Sequence, residues 1–127
     1  MTDHHTPETP AAALLATIPN GYPALATRVR LSYPFAQLCP FSGEPQPGST
    51  ITIGYNAGAL LLETKALRQY LASFAGENPY GVRDLEEAVQ VIAQQCANML
   101  HTGVQVHAEY LLNIGKMEVE VAAEPSG

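Results

Sequence analysis

The sequence has no tryptophan, only two cysteines, and only six lysines and arginines among 127 residues. Cys39 and Cys96 are too few for a disulfide scaffold and lack a CxxC spacing, so a reducing, cytoplasmic setting is expected. Twelve acidic residues against six basic ones leave a formal charge of −6, which argues against a general nucleic-acid footprint. A small anionic ligand held by a few local cations stays open. Long apolar runs are missing as well. "AAALLATI" is short and follows acidic and histidine residues, so neither a signal peptide nor a membrane anchor is expected. His4 and His5 are adjacent in a tail-like segment and are read as solvated, with no metal site. Charged residues make up only 14% of the chain, which points to surface hidden in an oligomer.

What is present fits one domain with a modest core. Residues 1–20 have no lasting period and read as a flexible arm with room for one ordered turn. Residues 21–123 carry the domain and 124–127 a short tail. "ALATRVRLSY" alternates, with Leu25, Thr27, Val29, Leu31 and Tyr33 on one face and Arg28, Arg30 and Ser32 on the other. "STITIGY" repeats the pattern through Ile51, Ile53 and Tyr55.

The period then changes from two to that of a helix. Leu67, Tyr70, Leu71 and Phe74 form one stripe in "ETKALRQYLASFAG", with Gly76 as the stop. A second helix follows in "RDLEEAVQVIAQQCANML", whose apolar face takes Cys96 and so explains it by packing. Asp84 and Glu87 have the spacing of a capping box, which leaves Glu86 in the first turn without a capping duty. "GVQVHAEYLLN" and "KMEVEVAAE" alternate again across a turn at Ile114 and Gly115, and His107 falls on the solvated face. The order is strand, strand, helix, helix, strand, strand. It predicts an α+β unit with a four-stranded antiparallel sheet, two helices on one face and open sheet edges.

One cysteine is placed differently from the other. In "LCPFSGEPQPGST", Cys39 precedes a proline in a Gly/Pro-rich loop between two strands. A structural cysteine normally packs on a helix or strand, whereas a cysteine held in a constrained, partly exposed loop is placed like a nucleophile.

Three segments taken together, "LCPFSGEPQPGSTITIGY", "LLLETKALRQYLASF" and the acidic start of the second helix, resemble the single-domain nitrile reductases of queuosine biosynthesis. Those enzymes convert 7-cyano-7-deazaguanine to 7-aminomethyl-7-deazaguanine. The resemblance runs through most of residues 24–122 and implies a tunnel fold, in which subunits join sheets into a barrel with active sites at their boundaries. It also implies NADPH as cofactor, a deazapurine substrate and a homo-oligomer.

By position, Glu63, Lys65, Arg68 and Tyr70 match the family's cofactor signature, with Arg68 where lysine is usual. Lys65 and Arg68, three apart on a helix, share a face on which a phosphate can sit. Cys39 matches the nucleophile that forms a thioimide with the nitrile. Gln46 stands where the family has a proton-moving aspartate, and an amide does not titrate usefully. Glu86 matches the glutamate that accepts the N–H edge of the substrate, with Glu87 the fallback, and Leu85 stands where the family has histidine. Two further readings follow from these departures: an amidinotransferase that keeps the thioimide and acts on tRNA, or a tunnel-fold protein that binds a deazapurine or pterin without turnover.

Overall fold

A computed structural model describes residues 10–38, 43–75 and 84–126. Within them the order is a 3-10 turn (Pro10–Leu14), β1 (Thr17–Pro19), β2 (Arg28–Pro34), β3 (Thr50–Asn56), β4 (Leu60–Leu62), α1 (Thr64–Ala72), α2 (Leu85–Leu100), β5 (Val104–Leu111) and β6 (Lys116–Ala123). The expected α+β plan of two strands, two helices and two strands is present. Gly76 lies outside the described residues.

The main sheet is antiparallel in the order β2-β3-β5-β6. Alternation decides which side is covered. Ile51, Ile53 and Tyr55 of β3 and Val104, Val106, Ala108 and Tyr110 of β5 are buried against the helices. The apolar residues of the outer strands, such as Val29 and Leu31 on β2 and Val119 and Val121 on β6, are only half-buried. Arg28, Arg30, Thr52, Gln105, His107 and Glu120 occupy the other side, which no helix among the described residues covers.

Both helices are fixed by their first residues. Glu63 caps α1, its carboxylate accepting from the amides of Lys65 and Ala66 at 3.1 and 2.8 Å. Those two bonds hold the Glu63 carboxyl below the usual carboxylate range. Asp84 caps α2 by accepting from the Glu87 amide at 2.7 Å, as the sequence spacing predicts. The helices join in the core, where the Tyr70 hydroxyl donates to Gln95 Oε1 at 2.6 Å.

A second, two-stranded sheet of β1 and β4 has no counterpart in the sequence reading. Residues 10–20, read there as part of an arm, hold the 3-10 turn and β1, and Leu15 is buried in the core. Three residues per strand are too few for a periodic signal. Their order comes from tertiary bonds instead: Glu63 N donates to Ala16 O, and the buried Tyr55 hydroxyl accepts from Leu62 N.

Candidate active site

The loop after β2 is bound to the far end of β5. Gln46 N donates to Leu111 O at 2.6 Å, and Leu111 N donates back to the hydroxyl of the buried Ser49 at 2.8 Å. Ser49 in turn donates to the Gln46 carbonyl, while Asn113 N donates to a Glu44 carboxylate oxygen at 2.7 Å. The Gln46 side chain donates to Asn113 Oδ1. Its amide is therefore built into the loop as a hydrogen-bonding strut.

Cys39 lies outside the described residues, but the segment that carries it has a closed base: Gln37 N donates to Pro45 O at 2.8 Å. Phe35, which leads into the loop, stacks on Tyr110 with ring centroids 6.2 Å apart and meets Phe74 edge-on at 6.4 Å.

Tyr110 connects this loop to the start of α2. Its hydroxyl donates to the Leu85 carbonyl at 2.9 Å. Burial, followed by the nearby charges of Glu86 and Asp84, pushes the phenol well above its ordinary value. The Leu85 side chain packs against the core, so it offers no polar group where the resemblance has histidine. Glu86 is exposed on the first helical turn, and among the described residues no hydrogen bond reaches its carboxylate. Glu87 is half-buried, with its amide engaged by Asp84. Gln46, Leu85 and Glu86 are thus assembled around one end of β5.

The signature segment approaches from the β2 side. The Tyr33 hydroxyl, near the end of β2, donates to Thr64 O at 3.3 Å, and Tyr33 lies within electrostatic reach of Arg68 and Glu63. Of the four signature side chains, Lys65 and Arg68 are exposed, Glu63 caps the helix, and Tyr70 is buried on Gln95. Glu63 already uses two of the amides at the start of α1, so the two cations are what this turn offers an anion.

Tyr33, Phe35, Tyr110 and Asn113, which connect these parts, were not singled out from the sequence as site residues. Alternation places Tyr33 and Tyr110 on the core face. Nothing in that pattern shows that their hydroxyls reach the starts of α1 and α2.

The described residues define an α+β protein with an exposed cation pair, Lys65 and Arg68, on α1 and an exposed carboxylate, Glu86, on the first turn of α2. No protein-family model matches the chain. Curated relatives do. Over 76 residues it is 38% identical to the NADPH-dependent 7-cyano-7-deazaguanine reductase of Agrobacterium fabrum, covering 59% of this chain and 49% of the relative. Over 69 residues it is 44% identical to the reductase of that name from Rhodopseudomonas palustris, covering 54% and 43%. The Desulfovibrio desulfuricans reductase is 35% identical over 72 residues, covering 56% and 42%. The chain is related to these reductases and spans a little under half of their length. No helix among the described residues is long and apolar enough to cross a membrane.

Proposed function

We propose that this chain is an NADPH-dependent nitrile reductase that converts 7-cyano-7-deazaguanine to 7-aminomethyl-7-deazaguanine through a Cys39 thioimide. The observation that carries the reading is 35–44% identity to several NADPH-dependent 7-cyano-7-deazaguanine reductases. In this reading the Cys39 thiolate adds to the nitrile carbon, forming a C–S bond as one C–N π bond becomes a protonated nitrogen. When bound, two NADPH molecules would supply one hydride each; the C–S bond breaks between the two additions and releases the Cys39 thiolate, and protonation at nitrogen completes the amine.

The chain's own groups divide the remaining work. Glu86 accepts the N–H edge of the deazapurine, and the Tyr110–Leu85 bond holds the turn that presents it. Lys65 and Arg68 meet a cofactor phosphate, an assignment their exposure on α1 supports. Glu63 and Tyr70 serve the cofactor segment by fixing the helix that carries those cations.

Gln46 donates to Asn113 and has no titratable proton, so proton delivery falls to another group. This observation favours one second reading, in which the chain binds and captures the nitrile but reduces it slowly or not at all.

The protein works in the cytoplasm as a homo-oligomer whose copies join at β2 and β6, the outer strands of the sheet, and complete the sites between them. Half-buried apolar rows on both strands support that arrangement. Light scattering that shows only monomer at assay concentrations refutes it.

The test of function is intact-mass spectrometry with 7-cyano-7-deazaguanine, with and without NADPH. An adduct on Cys39 that disappears in Cys39→Ala is expected, together with the aminomethyl product when NADPH is present. Absence of any adduct overturns the covalent mechanism.

A further inference from the structure

The uncovered side of the main sheet has a use that the reductase reading does not assign. It forms a depression of about 600 Å³ lined by Arg28, Arg30, Thr52, Gln105, His107 and Glu120. Charge is sorted across it: the arginines stand on β2 at one margin, while Glu120 stands on β6 at the other. Among the described residues, neither guanidinium makes a hydrogen bond or ion pair, and Glu120 makes none through its carboxylate. They are separated by the width of the sheet, three strand spacings or about 14 Å.

The floor is shaped for one of these charges. A Cβ at Gly54, the glycine of β3, would stand 2.8 Å from Arg28 Nη2, so the missing side chain is what lets that guanidinium lie across the sheet. Arg30 lies on the same side two residues along and pairs directly with Gly54. Two residues apart on one side of a strand, the arginines rise from points about 7 Å apart, from which two guanidinium forks can share the oxygens of one phosphate group better than those of a single carboxylate. Facing them, Gln105, His107 and Glu120 offer acceptors for N–H groups. His107 is already in contact with Glu118 at 3.1 Å, which leaves Glu120 as the carboxylate open to a ligand.

We infer that this depression binds a nucleoside monophosphate, phosphate on Arg28 and Arg30 and the N–H donors of the base toward Glu120. The site is separate from Cys39, Glu86 and α1 and does not depend on the reductase reading.

Titration calorimetry with guanosine 5′-monophosphate, guanosine and inorganic phosphate tests it on the full chain. Guanosine monophosphate is expected to bind saturably and guanosine far more weakly. Arg28→Ala and Arg30→Ala, both at exposed positions, should each weaken the nucleotide by about tenfold or more, the loss expected for a charge-assisted bond. Glu120→Gln should weaken the nucleotide and leave inorganic phosphate unaffected. Far-UV circular dichroism establishes that each variant is folded, and Cys39 adduct formation in the variants should match wild type. The inference is overturned by no nucleotide binding at millimolar concentration, by unchanged affinity in the arginine variants or Glu120→Gln, or by equal affinity for guanosine. Binding of oligonucleotides without the mononucleotide overturns it too, in favour of a nucleic-acid surface.

Discussion

The Tyr110 hydroxyl and the Leu85 carbonyl, 25 residues apart, meet at 2.9 Å and fasten the first turn of α2 to the end of β5. Glu86, the next residue, therefore takes its position from a tyrosine on another element.

Tyr110→Phe keeps the ring against Phe35 and deletes only that bond. A loss of about 0.5–1.5 kcal/mol in stability is expected from urea unfolding. Binding of 7-cyano-7-deazaguanine should weaken in the same variant because the turn carrying Glu86 is loosened. Glu86→Gln should weaken binding with little change in stability, since its side chain is exposed. Equal loss of stability in both variants would show that Glu86 has a structural role.

The Cys96 thiol is fully buried, and burial pushes it up from 9.0 to about 12. Its neutral form is favoured in the folded state, so its contribution is complete below pH 9.0 and is lost as pH rises toward 12. Wild type should lose stability across that window at up to about 1.4 kcal/mol per pH unit more than Cys96→Ala. In native protein at pH 8, iodoacetamide should modify Cys39 alone, with Cys96 reacting only after unfolding. Native labelling of Cys96 would contradict its burial.

Gln46→Asp separates capture from reduction. A carboxylate at position 46 cannot donate to Asn113 Oδ1, but rotation of the Asn113 amide lets it donate instead, so the loop should survive. Reduction should accelerate more than adduct formation, by up to about 10²–10⁴-fold for a restored general acid. Wild-type NADPH oxidation that already runs at roughly 1–10³ per second would show that another group supplies the proton.

Within the signature, the exposed and buried members should behave differently. Lys65→Ala and Arg68→Ala should raise KM for NADPH with little change in stability. Tyr70→Phe removes the buried bond to Gln95 and should cost about 1–3 kcal/mol of stability, with KM for NADPH nearly unchanged. A large KM change in a fully folded Tyr70→Phe protein would place the tyrosine at the cofactor.

The four long strands, both helices and the Asp84 cap were legible because each depends on local periodicity or spacing. Val104, Val106, Ala108 and Tyr110 alternate into the core as their order predicts. The β1–β4 sheet was not legible, because its strands are three residues long and rest on bonds to Tyr55, Ala16 and Glu63. For the candidate site, the motifs pointed to Gln46, Leu85, Glu86 and the signature helix. The helical stripe already turns Tyr70 inward, but nothing in the sequence showed that Gln46 is committed to Asn113 or that Tyr70 meets Gln95, because both facts arise from contacts between distant segments.

Gly54 gives the sheet an unusual sensitivity to change. Gly54→Ala alters no charge and leaves the core side of β3 untouched, yet the added methyl would stand where the Arg28 guanidinium now lies. The arginine's tip is flexible and would swing away, so folding would change little while the positive potential over the sheet moved outward. A methyl group there would act as an electrostatic mutation. Two proteins of this type with the same net charge and the same arginines could thus differ in the field they present to a ligand.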